Sequence, residues 1–209
     1  RLFAHGQVVL LKMNPVNEYL APILTEIFAP FVTGGALRVA TGGAAVGAYL
    51  TRHPGIDEIH ITGSSRTHDT IVFGPGGEGE ERRRRNEPQL DKPISSELGG
   101  VGPVIVVPGP WSRADLRYQA EHVATTKLHN SGCNCVASQV LVLPRDWELR
   151  EAFLDEVHSL FAALPPREPH YPGTEDRLRT VVEAHPEAER FGDGAARAVV
   201  AGLDPDRAD

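Results

Sequence analysis

The sequence predicts an α/β protein: a mostly parallel sheet with flanking helices, continuing into the start of a second α/β domain. Three observations carry this. Short apolar runs of strand length recur between residues 7 and 107, segments with apolar spacings of three and four stand between them, and Gly, Ser or Asn turns mark the changeovers. Strands alternating with helices at these lengths need crossover connections, which pair the strands in parallel.

Residues 7–11, Gln-Val-Val-Leu-Leu, read as a fully buried strand that ends at Lys12. Between 17 and 31, Leu20, Ile23, Leu24, Ile27 and Phe31 fall on one helical stripe. A strand over 37–41 leads through Gly42-Gly43 to a short helix over 45–52 that turns Val46, Tyr49 and Leu50 inward. The next strand, 58–62, ends in Gly63-Ser64. Residues 74–92 lose all apolar periodicity, so 75–92 is expected to be a surface loop insertion. Its run Arg82 to Arg85 follows Glu78, Glu80 and Glu81 and reads as self-neutralising rather than as a phosphate or RNA patch.

Strands over 94–98 and 104–107 flank a Gly-rich stretch, Gly99 to Pro103, where the chain turns or changes domain. Ser112, with Asp115 three residues on, reads as a capping box that opens a helix running towards Asn130. A strand over 138–143 follows. Asp146 then caps a helix whose buried stripe is Leu149, Phe153, Val157, Leu160 and Phe161. From Pro165 onward the chain is weakly specified, with one short helix over 174–184 and no internal repeat.

Composition narrows the function. A net charge of −7 with no concentrated basic face excludes nucleic acid as a partner. The longest apolar runs are far shorter than a bilayer span, and no signal-peptide pattern opens the chain, so a soluble cytoplasmic protein is expected. Cys133 and Cys135 sit too close together to close a useful disulfide loop. The chain opens at Arg1 with a strand that needs neighbours on both sides, which points to a piece of a longer protein.

Two segments bear chemistry. Glu97 opens Glu97-Leu98-Gly99-Gly100 at a strand end, and ligands of open parallel sheets collect beyond such ends. Cys135 closes Asn130-Ser131-Gly132-Cys133-Asn134-Cys135, where Gly132 lets the backbone approach a ligand. Alone, each also fits a plain structural role, as an exposed strand-edge Glu or a buried inert Cys. His129, Cys133 and Cys135 offer soft metal ligands, but structural zinc wants a second ligand pair and none exists, so no metal is expected. The remaining histidines are scattered and receive no role.

In order, these pieces resemble the aldehyde dehydrogenase superfamily: the Leu-Leu-Lys12 strand end, Gly43-Ala-Ala-Val-Gly47, His53-Pro-Gly-Ile-Asp57, Ile61-Thr-Gly-Ser64, Glu97-Leu-Gly-Gly100 followed by Pro103, and the Asn130 to Cys135 run. The similarity spans about residues 7–164. It implies a partial NAD(P)-binding Rossmann-like domain over 1–100, the N-terminal part of a catalytic domain over 101–164, and an unassigned tail over 165–209. It further implies Cys135 as nucleophile and Glu97 as general base. Lys12, Gly43, Gly47, Ser64 and Gly99 fall on the side of NAD or NADP. The implied reaction oxidises an aldehyde to a carboxylic acid, in a parent protein that forms a homo-oligomer. A coenzyme A branch is disfavoured, because such relatives generally lack the base that Glu97 supplies.

The chain departs from the family pattern at several positions. Cys133 stands where Gln is usual, Pro15 where an acid binds the ribose, His68 where Gly follows the Thr-Gly-Ser turn, and Val101 where Lys is frequent. The family's oxyanion-hole Asn and its Glu-x-Phe-Gly-Pro segment fall outside the chain, which implies a fragment inactive by itself. The competing reading is a non-catalytic cofactor-binding or scaffolding piece, and after it a small thiol metal module.

Overall fold

Packing divides the chain into two units, Arg1–Leu98 and Gly99–Asp209. The structure is a computed structural model that describes residues 1–203; residues 204–209 of the expected tail lie outside the described residues.

The first unit runs α1 (Leu2–His5), β1 (Val9–Lys12), a 3-10 turn (Pro15–Leu20), α2 (Ala21–Ile27), α3 (Ala29–Thr33), β2 (Leu37–Ala40), α4 (Ala44–Arg52), β3 (Ile59–Gly63), α5 (Ser65–Phe73), α6 (Gly76–Arg85) and β4 (Ile94–Leu98). Strands β1 and β2 pair in parallel with Lys12 opposite Ala40. Strands β3 and β4 pair in parallel with His60 opposite Ser95 and Thr62 opposite Glu97. Gln7 Nε2 donates to Glu58 Oε2 at 2.8 Å, which joins the amino ends of the two pairs.

Four expectations are corrected here. Strand β1 is not fully buried: Leu10 and Leu11, which point to opposite faces of the pair, are both exposed, so the described residues cover neither face fully. The stripe over 17–31 breaks into a 3-10 turn and two short helices, since Pro22 and Pro30 lack an N–H and each fits only in a first helical turn. Tyr49 points outward and packs against His53 with ring centroids 5.3 Å apart.

The fourth correction concerns the surface loop, since Gly76–Arg85 is the helix α6. Charge pairing takes the place of an apolar stripe: Arg82 meets Glu78 at 2.5 Å, Arg85 meets Glu81 at 2.7 Å, and Arg84 also pairs with Glu81. Arg83 reaches Asp69 on α5 at 3.1 Å. Gly79 lets α6 close on the preceding turn, for a Cβ there would stand 1.9 Å from the Gly74 carbonyl oxygen. Asn86, left-handed with φ 55°, stops the helix.

The second unit runs β5 (Gly102–Ile105), α7 (Arg113–Leu128), a 3-10 turn (His129–Gly132), β6 (Ser138–Val142), α8 (Arg150–Ala163), α9 (Thr174–Ala184), β7 (Glu189–Phe191) and β8 (Arg197–Val199). Strands β5 and β6 are parallel, with an irregularity between Gly102 and Pro103 that removes the need for a proline N–H. Helix α7 buries Leu116, Ala120, Val123 and Ala124, one stripe that meets Phe153, Val157 and Phe161 of α8. Trp111 and Trp147 close the cluster edge-on around Phe153.

The Ser112 capping box forms as its sequence suggests, with Asp115 N donating to Ser112 Oγ at 3.2 Å and Ser112 N donating to Asp115 Oδ2 at 2.8 Å. Asp146 caps nothing: α8 starts at Arg150 after Leu149, without a side-chain cap. The tail is better organised than its composition suggests. Strands β7 and β8 form an antiparallel hairpin, and Arg197 donates to the carbonyls of Phe161 and Leu164 at 2.7 Å and of Pro165 at 2.8 Å, satisfying the open end of α8. Among the described residues no helix is long and apolar enough to cross a membrane.

Two stability predictions follow from this packing. Phe153 is fully buried, so Phe153→Ala is expected to cost about 3–5 kcal/mol in denaturant unfolding, and a loss under 1 kcal/mol would contradict this core. The Ser112 hydroxyl, then its N–H, hold the Asp115 carboxyl below the usual carboxylate range. A lowered folded value adds stability above the unfolded pKa, and that stability is lost as pH falls through the folded one. Ser112→Ala should therefore weaken the chain at neutral pH more than in strong acid, as read by thermal melts across that range.

Candidate active site

In the first unit the candidate residues sit at strand ends. Lys12 is the last residue of β1, and Asn14 beyond it accepts from Val16 N at 3.0 Å to start the 3-10 turn behind Pro15. Glu18 accepts a short hydrogen bond from Gly42 N, which ties that turn to the end of β2. Gly42 has φ 124°, and a Cβ there would meet Val46 Cγ2 at 2.5 Å, so the turn into α4 needs glycine. Gly43 precedes α4 and Gly47 lies in its second turn; a Cβ on either would meet open space.

Ser64 is the N-cap of α5, where its hydroxyl accepts from Thr67 N at 3.2 Å and contacts Thr67 Oγ1 at 3.0 Å. The sequence named Ser64 for cofactor phosphates; the structure gives its oxygen a capping task at the amino end of that helix. Glu97 is exposed on β4, one residue from the strand's end, and Gly99 beyond it has open space where a Cβ would stand. The residue missed by the sequence reading is Thr62, which the β3–β4 ladder sets directly beside Glu97. The signal was there: His60 and Thr62 on one strand, Ser95 and Glu97 on the other, alternate with Ile59, Ile61, Ile94 and Leu98.

In the second unit, α7 delivers the chain to the cysteines through three left-handed residues, Asn130 (φ 49°), Ser131 (φ 55°) and Gly132 (φ 77°). Only Gly132 adopts this freely. The turn is held by Asn130 Nδ2 donating to the Cys133 carbonyl at 3.0 Å and by Cys133 N donating to the Asn130 carbonyl at 2.9 Å. Beyond it, Asn134 Oδ1 accepts from Val136 N at 3.0 Å and its carbonyl accepts from Ala137 N at 3.1 Å.

Cys135 is thereby presented as an exposed free thiol, 3.7 Å from Asn134 Oδ1. Among the described contacts, its own N–H donates to nothing. Cys133 is partly covered: its sulfur lies 3.8 Å from Thr174 Oγ1 at the start of α9, and Ser131 Oγ reaches the Glu168 carbonyl at 3.4 Å. At the foot of the turn Lys127 donates to Gln139 Oε1 at 2.7 Å, and burial pushes its ammonium below the usual lysine range. Among the described residues no group of three or more His, Cys, Asp or Glu is gathered to hold a metal ion, so His129, Cys133 and Cys135 do not form a ligand cluster.

Each unit thus presents one candidate group in an exposed position, the Glu97 carboxylate in the first and the Cys135 thiol in the second. The family model described as the aldehyde dehydrogenase family matches residues 2–176. A coniferyl aldehyde dehydrogenase from a Pseudomonas species is 28% identical over 218 residues, 95% of this chain and 41% of that protein. The Mycobacterium tuberculosis aldehyde dehydrogenase complexed with NAD+ superposes with a TM-score of 0.64 at 24% identity, over 88% of this chain and 37% of that one. The NADP-dependent glyceraldehyde-3-phosphate dehydrogenase of Bacillus halodurans, complexed with NADP, gives 0.65 at 20% identity, over 95% of this chain and 39% of that one. These likenesses carry the α/β Rossmann-like fold. The chain spans about two-fifths of the length of these proteins.

The two thiols differ in exposure, which a labelling experiment reads directly. Native protein treated with a limiting alkylating reagent should be modified at Cys135 about tenfold faster than at Cys133, with the difference erased in denaturant. Equal native rates, or Cys133 reacting first, would contradict the clasp around Ser131 and Thr174.

Proposed function

This chain belongs to the aldehyde dehydrogenase family, and on that footing we propose that it carries the nucleophile, the general base and part of the cofactor surface of an enzyme oxidising an aldehyde to a carboxylic acid. The observation that carries the reading is Cys135: an exposed free thiol on a strained turn with its own N–H unengaged. A free thiol of ordinary pKa is only about 3% thiolate at neutral pH, so it needs a partner base or a positive potential to react.

The thiolate of Cys135 adds to the carbonyl carbon, and the resulting thiohemiacetal oxyanion takes a hydrogen bond from the N–H of Cys135. By the family resemblance, Lys12, Gly43, Gly47 and Ser64 of the first unit, and Gly99 of the second, are the residues that would hold NAD or NADP. When bound, the nicotinamide supplies the hydride acceptor that leaves an acyl thioester on Cys135. Glu97 then takes a proton from water, the hydroxide adds to the thioester carbon, and the C–S bond breaks to return the thiolate and release the acid. Exposure of Glu97 at a strand end gives water access to the carboxylate.

Because the chain spans about two-fifths of its relatives, we assign turnover to a longer, homo-oligomeric polypeptide and expect the 209-residue chain alone to be inactive. In that longer protein, Cys135→Ser should abolish NAD(P)H formation from an aldehyde panel, at least about a thousandfold, whereas Cys133→Ser should keep most of it. Glu97→Gln should keep the first-turnover burst of NAD(P)H and slow the steady state. Full activity in Cys135→Ser would overturn the assignment of the nucleophile.

A further inference from the structure

The connection that carries both thiols is closed by a side-chain bond with no task in the reaction so far. Helix α7 ends at Leu128 and β6 begins at Ser138, so the left-handed turn, Cys133 and Cys135 all lie between them. Lys127, in the last turn of α7, donates from Nζ to Oε1 of Gln139 on β6 at 2.7 Å. The same residue also meets the turn: its carbonyl oxygen lies 3.4 Å from where a Cβ on Gly132 would stand. Lys127 therefore touches the turn through its backbone and the far end of the connection through its side chain.

Two independent observations set this pair apart from an ordinary surface contact. The first is the place of Gln139, at the irregularity of the β5–β6 ladder: Ser138 stands opposite Gly102 and Val140 opposite Pro103, which leaves Gln139 without a partner on β5. An extra residue of this kind re-aims its side chain, and here the amide oxygen meets the ammonium. The second is the cation itself. Lys127 is half-buried, burial pushes its ammonium below the usual lysine range, and the group that receives it is a neutral amide rather than a carboxylate. A charge withdrawn from water without a counter-charge is costly, and an apolar side chain of similar volume would fill the place without that cost.

Resting on the reading of Cys135 as the nucleophile, we propose that Lys127 is a positioning residue that acts through Gln139 to set the span between α7 and β6, and with it the place of the Cys135 sulfur. The intervening chain passes that span on. Asn134 accepts from Val136 N at 3.0 Å and from Ala137 N at 3.1 Å, and Ala137 and Ser138 are buried, so the backbone on the Gln139 side of Cys135 is tied down. Carbon–sulfur bond formation needs the sulfur at a narrow distance from the carbonyl carbon, and a misplacement of about 1 Å costs on the order of a hundredfold in rate. The clamp breaks no bond and moves no proton; it bears on the step that forms the thiohemiacetal.

Two measurements test the clamp apart from the functional reading. In the active longer protein, Lys127→Met and Gln139→Leu should each slow the first-turnover burst of NAD(P)H at least about tenfold with KM for the cofactor unchanged, and Lys127→Arg should restore most of the rate. The double variant should be no slower than either single one, because both remove the same bond. Burst rates at the wild-type value in folded variants, or single effects that multiply in the double, would overturn the clamp and leave Cys135 as the nucleophile. The second measurement needs no turnover. In nuclear magnetic resonance spectra of the 209-residue chain, Gln139→Leu should move the Lys127 titration further down, because the lost acceptor favours the charged form, and both substitutions should shift the backbone amide signals of Cys133 and Cys135. Unmoved signals there would overturn the clamp, whereas a longer protein that oxidises no aldehyde would sink the nucleophile reading on which it rests.

Discussion

Parallel pairing governs the first unit. A strand that is to lie parallel to its predecessor cannot return by a tight hairpin, so the chain must travel back along the sheet face before the next strand begins. Helices α2 and α3 make that return between β1 and β2, and α5 and α6 make it between β3 and β4. Each return brings a strand's carboxyl end to the same side of its pair, and those ends hold Lys12, the Gly42 turn, Ser64 and Glu97. The register then decides which side chains are neighbours. A slip of one residue would turn Glu97 to the apolar face of Ile59 and Ile61 and bring Ser96 into its place.

The second unit solves a different problem. Its exposed free thiol, Cys135, follows a turn that no strand ladder holds. Left-handed backbone at a non-glycine residue costs about 1–2 kcal/mol, and Asn130 and Ser131 both adopt it. Those costs persist because neighbours over-determine the geometry: Asn130 bonds across the turn to Cys133, and the sulfur of Cys133 and the hydroxyl of Ser131 reach the segment around Glu168 and Thr174. The core of α7 against α8 anchors the helix that leads into the turn. Alanine at Gly132 would add a third strained residue, with its Cβ 3.4 Å from the Lys127 carbonyl.

Elements with a strong local signal were legible in the sequence. Strand β4 falls at 94–98 and helix α9 at 174–184, and the capping box at Ser112 forms, because each is set by residues within a few positions of one another. Elements held by distant partners were not. Helix α6 has no apolar stripe to announce it and depends on Glu–Arg pairs and on the contact of Gly79 with Gly74. The β7–β8 hairpin is hidden because Arg197 finds its partners at the end of α8, more than thirty residues earlier. At the candidate site, Cys135 and Glu97 stood out by motif, whereas the row of Thr62, His60 and Ser95 emerges only when two strands are laid in register.

That contrast also separates the two candidate groups, Glu97 on a strand and Cys135 just beyond a turn. The β3–β4 pairing holds the backbone at Glu97 beside Thr62 in a fixed register. The exposed Cys135 sulfur lies 3.7 Å from Asn134 Oδ1, whereas the partly covered Cys133 sulfur lies 3.8 Å from Thr174 Oγ1. The side-chain contacts thus fall on Cys133, while the exposed Cys135 thiol stands on backbone bracketed by the hydrogen bonds that Val136 N and Ala137 N donate to Asn134.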